Sequence, residues 1–564
     1  MASFDETFDF VVAGSGGGSM CAGLVMRQAG KSVLILEKTP LIGGATARSG
    51  GVMWIPNNRF MKQEGVEDSF DKAMTYLDSV AGNQADAPGA TRERRETYVR
   101  EAPQMIEFLI DQGIELRRIS RWPDYYDDLP GGSPDGRTVI AKLFDANELG
   151  AWKTKLRPGM VDAAAYVDEG MLIRTFKVAS IGKRMLAKIV LRTLFTRLTG
   201  KHYLNAGAAL QGRMLNAAVK AGVDIRVDSP VDELILENGV VVGVATQKDG
   251  KPWRVGARLG VLVNAGGFAR NQAMRDQYQP GTRAEWSNVP EGDTGEMIQE
   301  MMRQGAATAQ LEEFVGFQAT LPPGTEDGVI KPGVQASLAS PHAMLIDQSG
   351  VRYQNEGGSY MAFCKGMLAR HKTVPAVPSW GLFDSQFTRR YFMPGTGMPG
   401  QKTPERWFSE NYYRKADTLE ALARKIDVDP ATLLATVERF NGFVAKNHDD
   451  DFKRGDRAYD NWLGDPTHQP SNTLGTIAEG PFYAIPVVPG DVGTYGGAVT
   501  DVDARVLRPD GSVIPGLYAT GVSTASVMGR VYPGAGCSVG PAFTFGYIAA
   551  HHALKVGAEA AQAA

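Results

Sequence analysis

Residues 8–37 constrain the fold more than any other stretch. Phe8 to Ala13 reads as a buried strand. Gly14-Ser15-Gly16-Gly17-Gly18-Ser19 forms a turn that opens a helix, and Val33-Leu34-Ile35-Leu36 is a second buried strand ending at Glu37. Gly14 permits the tight turn, and Gly16 lets the backbone approach a pyrophosphate. The helix that follows points its N-terminal amides at the phosphates. Ser19 occupies the sixth motif position, where a small side chain still allows helix–strand packing. Glu37 lies 23 residues after Gly14, where an acidic side chain commonly bonds a ribose hydroxyl. The pattern predicts a Rossmann-like α/β domain that holds a dinucleotide.

Three further segments narrow the dinucleotide. Glu37-Lys38 leads into Gly43-Gly44-Ala45-Thr46 and then Ser49-Gly50-Gly51. Val261-Leu262-Val263-Asn264 runs into Ala265-Gly266-Gly267, and Gly516-Leu517-Tyr518-Ala519-Thr520 ends at Gly521. In this order they resemble the flavin-binding segments of the fumarate reductase-like flavoproteins. The resemblance implies a glutathione reductase-like FAD domain. The implied FAD residues are Gly14, Gly16, Gly17, Gly18, Glu37, Lys38, Gly43, Gly44, Thr46, Ser49, Gly50, Gly51, Ala265, Gly266, Gly267, Gly521, Ser538 and Val539. No His or Cys is placed for flavin attachment, so the FAD is expected to be non-covalent.

Composition excludes other classes. A chain of 564 residues is long enough for two or three domains. A net charge of −3 offers no overall attraction to nucleic acid. Cys21, Cys364 and Cys537 show no CxxC spacing, and no HExxH occurs, so neither a disulfide framework nor a metal site is expected. The start, Met-Ala-Ser-Phe-Asp-Glu, lacks the apolar core of a signal peptide, and no apolar run is long enough to span a bilayer. A cytoplasmic location is the expectation.

The FAD domain is read as interrupted. Its first part covers 1–313, with a β-meander over Val231 to Gly267 turning at Asn238-Gly239 and Asp249-Gly250. Residues 314–493 change to a Pro-, aromatic- and Arg-rich composition. They are read as an inserted α+β catalytic domain with helices over Thr418 to Ile426 and Pro430 to Ala445. Residues 494–564 complete the FAD domain, with a hairpin and strand from Asp501 to Gly521.

A narrower resemblance rests on three segments. Trp122-Pro123-Asp124-Tyr125-Tyr126, Arg352-Tyr353-Gln354-Asn355-Glu356 followed by Tyr360, and Gly529-Arg530-Val531-Tyr532-Pro533-Gly534-Ala535-Gly536 resemble motifs of the 3-ketosteroid Δ1-dehydrogenases. Met361-Ala362-Phe363 and Cys537-Ser538 depart from that pattern. The resemblance implies loss of a proton from C2 and of a hydride from C1 of a 3-ketosteroid, the hydride going to flavin N5. It makes Tyr360 the base, Tyr125 its support, and the Tyr532 hydroxyl and Gly536 N–H the donors to the C3 oxygen. Tyrosine ionises near pH 10, so a phenolate at pH 7 costs about 4 kcal/mol, and a hydrogen bond from Tyr125 would favour it. Tyr126 and Tyr353 are close enough in sequence to be confused with the pair. The implied substrates include cholest-4-en-3-one and androst-4-ene-3,17-dione, with an external electron acceptor, a quinone or another carrier. The alternatives are a 3-ketosteroid Δ4-(5α)-dehydrogenase and a non-catalytic membrane-associated flavin or sterol carrier. A dicarboxylate enzyme would need a His/Arg set that is absent.

Residues 151–205 are longer than the resemblance predicts. No acidic residue occurs from Gly170 to Val223. Arg184, Lys188 and Arg192 recur at helical spacing, as do Leu186, Val190, Leu194 and Leu198. This predicts a helix lying on an anionic membrane surface as a peripheral anchor at the inner face. Docking on its own domain or on another subunit is the alternative.

Overall fold

The computed structural model describes residues 3–82, 87–325, 329–395 and 403–563. Met1 and Ala2 of the N-terminal segment therefore lie outside the described residues. Six strands form the central sheet in the order 505–507, 513–519, 261–263, 10–13, 33–36, 224–226. The five from 513–519 onward are parallel, and 505–507 is antiparallel at the edge. Phe10–Ala13 and Val33–Leu36 are buried throughout, as strands covered on both faces must be. Val12 pairs with Ile35 on one side and Leu262 on the other, and Leu262 with Tyr518. The two chain ends thus share one sheet. The helix Gly17–Gln28 packs on the long helix Val539–Ala563. A side chain on Gly546 would strike Gly18 Cα at 2.9 Å, so these helices touch backbone to backbone.

The meander forms a separate sheet from Val231–Glu237, Val240–Lys248 and Lys251–Ala257, joined by Glu6–Phe8. Its hairpins turn at Asn238-Gly239 and Asp249-Gly250, all four residues at positive φ. That geometry matches the twist of the flanking strands.

A second sheet orders strands 314–319, 482–494, 379–383 and 343–346, with 414–416 also on the long strand Phe482–Thr494. Helices Leu419–Lys425 and Pro430–Lys446 cover one face through Leu422, Leu433, Val437 and Phe440. Asp429 caps the second by accepting from Thr432 N at 2.8 Å, with Pro430 at its first position. Arg352 bonds Glu356 (2.9 Å) and Asp449 (2.7 Å) in a fully buried cluster, and Arg454 adds a 3.2 Å contact to Glu356. Glu356 also accepts from Leu345 N. The Arg352–Glu356 segment is thus a buried brace. It fixes the loop that delivers Tyr360 to the start of the helix Tyr360–His371.

Residues 167–198 leave Lys183, Arg184, Lys188 and Arg197 exposed, and some of the basic side chains also meet partners within the chain. Helices Val167–Ile173 and Ser180–Leu198 pack together. Arg192 and Lys188 both turn to Glu169 of the shorter helix, and Arg197 pairs with Asp162. Arg174 and Lys177 are spent on backbone carbonyls of Leu463, Gly464, Thr388 and Tyr391. The spacing of Arg184, Lys188 and Arg192 gave no view of Glu169, an acidic partner just N-terminal to the acid-free run. Among the described residues no helix is long and apolar enough to cross a membrane.

Candidate active site

One elongated cavity of about 880 Å³ runs from the Gly14–Gly17 turn to a cluster of aromatic rings. At the first end Gly14 has φ +94°, and an added methyl would lie 2.8 Å from Ala265 Cα. At Gly16 the obstruction would be Asn264, whose amide bonds the Ser19 hydroxyl at 2.9 Å. That bond explains a serine at the sixth motif position. Glu37 lines the cavity and accepts from Ser15 Oγ (2.5 Å), Thr39 N and Thr39 Oγ1. Lys38 lines it too, bonded to Thr294 (2.7 Å) and Glu296 (2.9 Å). Gly17, Gly44, Thr46, Ser49, Gly50, Ala265, Gly266, Gly521, Ser538 and Val539 complete this wall.

Gly18, Gly43, Gly51 and Gly267 of the predicted set are not among the residues that line the cavity, and each has a packing neighbour of its own. Gly18 is needed for packing, since a side chain would reach Thr520 Cγ2 at 2.9 Å. Gly43 caps the helix Gly44–Arg48 at φ +109° and donates to Ser15 Oγ. Gly51 has φ +63° and abuts Ala206, and Gly267 abuts Thr494. Gly18 and Gly51 answer a close backbone approach, and Gly43 and Gly267 a close side chain.

At the far end three tyrosines meet. Ring centroids of Tyr125 and Tyr360 are 5.2 Å apart, as are those of Tyr360 and Tyr532, and Tyr125 and Tyr532 are 6.0 Å apart. All three line the cavity with Gly536. They come from separate parts of the chain, and the loop 532–537 is pinned to hold them. Tyr125 N donates to Pro533 O at 2.8 Å, Tyr76 Oη to the same oxygen at 2.6 Å, and Tyr495 Oη to Cys537 O at 3.0 Å. Asp124 is buried, accepting from Trp54 Nε1 (2.8 Å) and Ser133 N (3.1 Å) and pairing with Arg137. The Trp-Pro-Asp-Tyr-Tyr segment thus uses its acid as an anchor and its first tyrosine at the site. Gly536 sits at φ +93°, and its N–H meets no protein acceptor among the described residues. Tyr126 and Tyr353 lie elsewhere: Tyr126 stacks under Arg457, and Tyr353 bonds Ser379.

Burial pushes Tyr360 well above its usual ionisation, the Tyr532 phenol adds to the rise, and the hydrogen bond from Tyr125 opposes it. Support from Tyr125 therefore does not by itself offset desolvation. Burial raises Tyr125 as well, and pushes Tyr532 up to about 12.

The family model for an FAD binding domain matches residues 9–539. The 3-oxosteroid 1-dehydrogenase of Mycobacterium tuberculosis is 37% identical, over 97% of this chain and 98% of its own. This chain belongs to the 3-oxosteroid 1-dehydrogenase family. The crystal structure of the 3-ketosteroid Δ1-dehydrogenase from Sterolibacterium denitrificans, in complex with 1,4-androstadiene-3,17-dione, is 36% identical. It superposes with a TM-score of 0.90 over 98% of this chain and 100% of that one. The 3-ketosteroid-Δ4-(5α)-dehydrogenase from Rhodococcus jostii shares the fold at TM-score 0.67 with 20% identity, over 98% of each chain.

The cavity suits the FAD that the family uses. Asp293 lines it, 6% exposed, and neither carboxylate oxygen has a hydrogen-bond partner among the described residues. Burial pushes it up to about 7, and the charge of Asp491 adds to the rise. An unpartnered acid beside Gly266 is an acceptor set for a hydroxyl such as a ribitol carries. Arg48 and Arg157 line the same wall and suit the pyrophosphate.

Sequence reasoning missed Asp293, in an unmarked Gly292-Asp293-Thr294 stretch, and the aromatic end wall. Tyr459 stacks 4.2 Å from Tyr125 and accepts from Gln335 Nε2 at 3.0 Å. Trp462 stacks on Trp122 at 4.5 Å. Tyr459 and Trp462 lie on the six-residue helix Ala458–Leu463, and Val167 and Met171 from the 167–173 helix close the same wall. No motif surrounds these residues, and only the fold brings them to the site.

Proposed function

We propose that this chain introduces a C1–C2 double bond into 3-ketosteroids, with Tyr360 taking the C2 proton. The convergence of Tyr125, Tyr360, Tyr532 and the free Gly536 N–H on the cavity that carries the dinucleotide motifs supports this. Non-covalent FAD, when bound, accepts the C1 hydride. The residues do the rest. Tyr532 Oη and Gly536 N donate to the C3 oxygen, which gains charge as C2 loses its proton. Tyr125 donates to Tyr360 and favours its phenolate. Trp122, Trp462, Val167 and Met171 supply an apolar wall that suits a steroid skeleton and keeps water from the reacting carbons. Anaerobic mixing of the holoenzyme with androst-4-ene-3,17-dione or cholest-4-en-3-one should bleach the flavin and yield the 1,4-diene. Bleaching with a saturated 5α-steroid substrate and not with these would favour Δ4 chemistry. Steroid binding without bleaching would favour a carrier.

We also infer a peripheral position at the inner face of the membrane, held by apolar rather than charged contact. Nine of the fifteen large apolar side chains most exposed among the described residues fall between Met160 and Leu198. Leu191 and Phe195 are 67% exposed and Leu198 86%. Because Lys188, Arg192 and Arg197 are engaged within the chain, salt should matter little. The protein is expected to sediment with phosphatidylcholine vesicles in high salt and to be released by detergent. Leu191→Asp with Phe195→Asp should abolish sedimentation. Unchanged sedimentation of that variant would reject this face as the anchor.

A further inference from the structure

Arg94 lies in the helix Arg92–Asp111 and is 3% exposed. Other buried arginines are matched to carboxylates: Arg137 to Asp68 and Asp124, Arg275 to Asp491, Arg352 to Glu356 and Asp449. Arg94 donates instead to two backbone carbonyls, those of Gly89 and Ala525 (3.2 Å for the latter). Its guanidinium lies 4.7 Å from the centre of the Phe545 ring, and its Nε has no partner among the described residues. Burial lowers its ionisation to about 10, which leaves it cationic at neutral pH. The charge of Asp501 opposes that fall, but no carboxylate among the described residues touches the guanidinium, and a buried cation without an anion in contact is expensive to keep.

Its surroundings suggest what it serves. Arg94 lines a small pocket of about 20 Å³ together with Tyr495, Ser526, Cys537 and Ser538. That is room for one water, and the wall offers the polar partners a water needs. On the opposite side Ser538 Oγ lies 3.0 Å from Tyr532 Oη, and both line the large cavity. Cys537-Ser538 is the pair that departs from the family pattern in sequence.

We propose that Arg94, through one water in this cavity and the Ser538 hydroxyl, polarises Tyr532 as the donor to the substrate's carbonyl oxygen. The inference rests on the role given to Tyr532 above. When the C2–H bond breaks, the proton passes to the Tyr360 phenolate and the C–H electron pair forms the C2–C3 double bond. The carbonyl π pair moves onto the C3 oxygen. Tyr532 donates to that oxygen, Ser538 to Tyr532, the water to Ser538, and Arg94 to the water. A positive charge at the far end of the chain stabilises the negative charge at the near end. Arg94 touches neither substrate nor reacting atoms and is a positioning residue.

The test is exchange of the C2 proton of androst-4-ene-3,17-dione in D₂O, with the holoenzyme's flavin already reduced. Arg94→Met should slow exchange about tenfold, the order expected when one charge-assisted hydrogen bond is lost from a relay. Arg94→Lys should recover much of the rate, and Ser538→Ala should match Arg94→Met. In a Tyr532→Phe background Arg94→Met should add nothing, because the link is already cut. Equal slowing in both backgrounds would overturn the proposal. So would wild-type exchange in Ser538→Ala, which decides the matter if Arg94→Met does not fold. A shifted flavin potential with unchanged exchange would assign Arg94 to the cofactor instead and also overturn it. Wild-type exchange in Tyr532→Phe alone would remove the underlying reading of Tyr532, a separate failure.

Discussion

Tyr360→Phe is expected to reduce turnover by about 10²–10⁴-fold, the range for loss of a positioned general base, while steroid binding persists. Tyr360 stands at the first turn of its helix within 5.2 Å, centroid to centroid, of both Tyr125 and Tyr532. The ring remains in the variant, so packing is kept and only the oxygen is lost. The pH dependence follows from the direction of its ionisation. Burial holds Tyr360 protonated well above the usual range. The reactive phenolate therefore accumulates as pH rises, and the rate should climb toward tenfold per pH unit on the acid side. Tyr125→Phe removes a donor to that phenolate, so the same limb should move to higher pH with a smaller loss at its plateau. C2 proton exchange in D₂O with the flavin reduced isolates the step, because hydride transfer cannot then proceed. Exchange at the wild-type rate in Tyr360→Phe would exclude it as the base and direct attention to Tyr459, which also lines the cavity.

Gly536→Ala should be comparably damaging for a different reason. Gly536 has φ +93°, and an added Cβ would lie 2.7 Å from Met53 Cα and 2.7 Å from Trp54 N. Those are backbone atoms of the strand Val52–Trp54 and cannot swing aside. The loop must move, and with it the N–H proposed above as a donor to the C3 oxygen. Loss of one such donor typically costs about 2.7–4 kcal/mol, or roughly 10²–10³ in rate. The left-handed backbone adds about 1–2 kcal/mol of strain for a non-glycine residue, so the melting temperature should fall as well. Rate and stability separate the two effects. A variant as stable as wild type with full exchange activity would show that the Gly536 N–H is dispensable.

The Gly14 turn, its flanking strands and Glu37 were legible because each obeys a local rule: a buried strand, a tight turn, a helix start. The meander hairpins at Asn238-Gly239 and Asp249-Gly250 were legible for the same reason. Tyr125, Tyr360, Tyr532 and Gly536 could be named only through resemblance, since spacing alone does not distinguish Tyr125 from Tyr126 or Tyr360 from Tyr353. Alternation across a loop or helix start decides which of two neighbours faces the cavity, and that depends on what each packs against. Gly18, Gly43, Gly51 and Gly267 each also meet a packing constraint that sequence spacing does not show. Helical spacing did not show which charges find partners within the chain. Lys188 and Arg192 of the basic stripe turn to Glu169 of the neighbouring helix, while Leu191, Leu194 and Phe195 face outward. Asp293, Tyr459, Trp462 and Arg94 carry no local pattern at all. Local backbone rules thus determined the dinucleotide fold from sequence. Which buried polar groups face a cavity, and which charges find partners, only the tertiary structure decided, because burial and electrostatics act between residues that the chain keeps hundreds of positions apart.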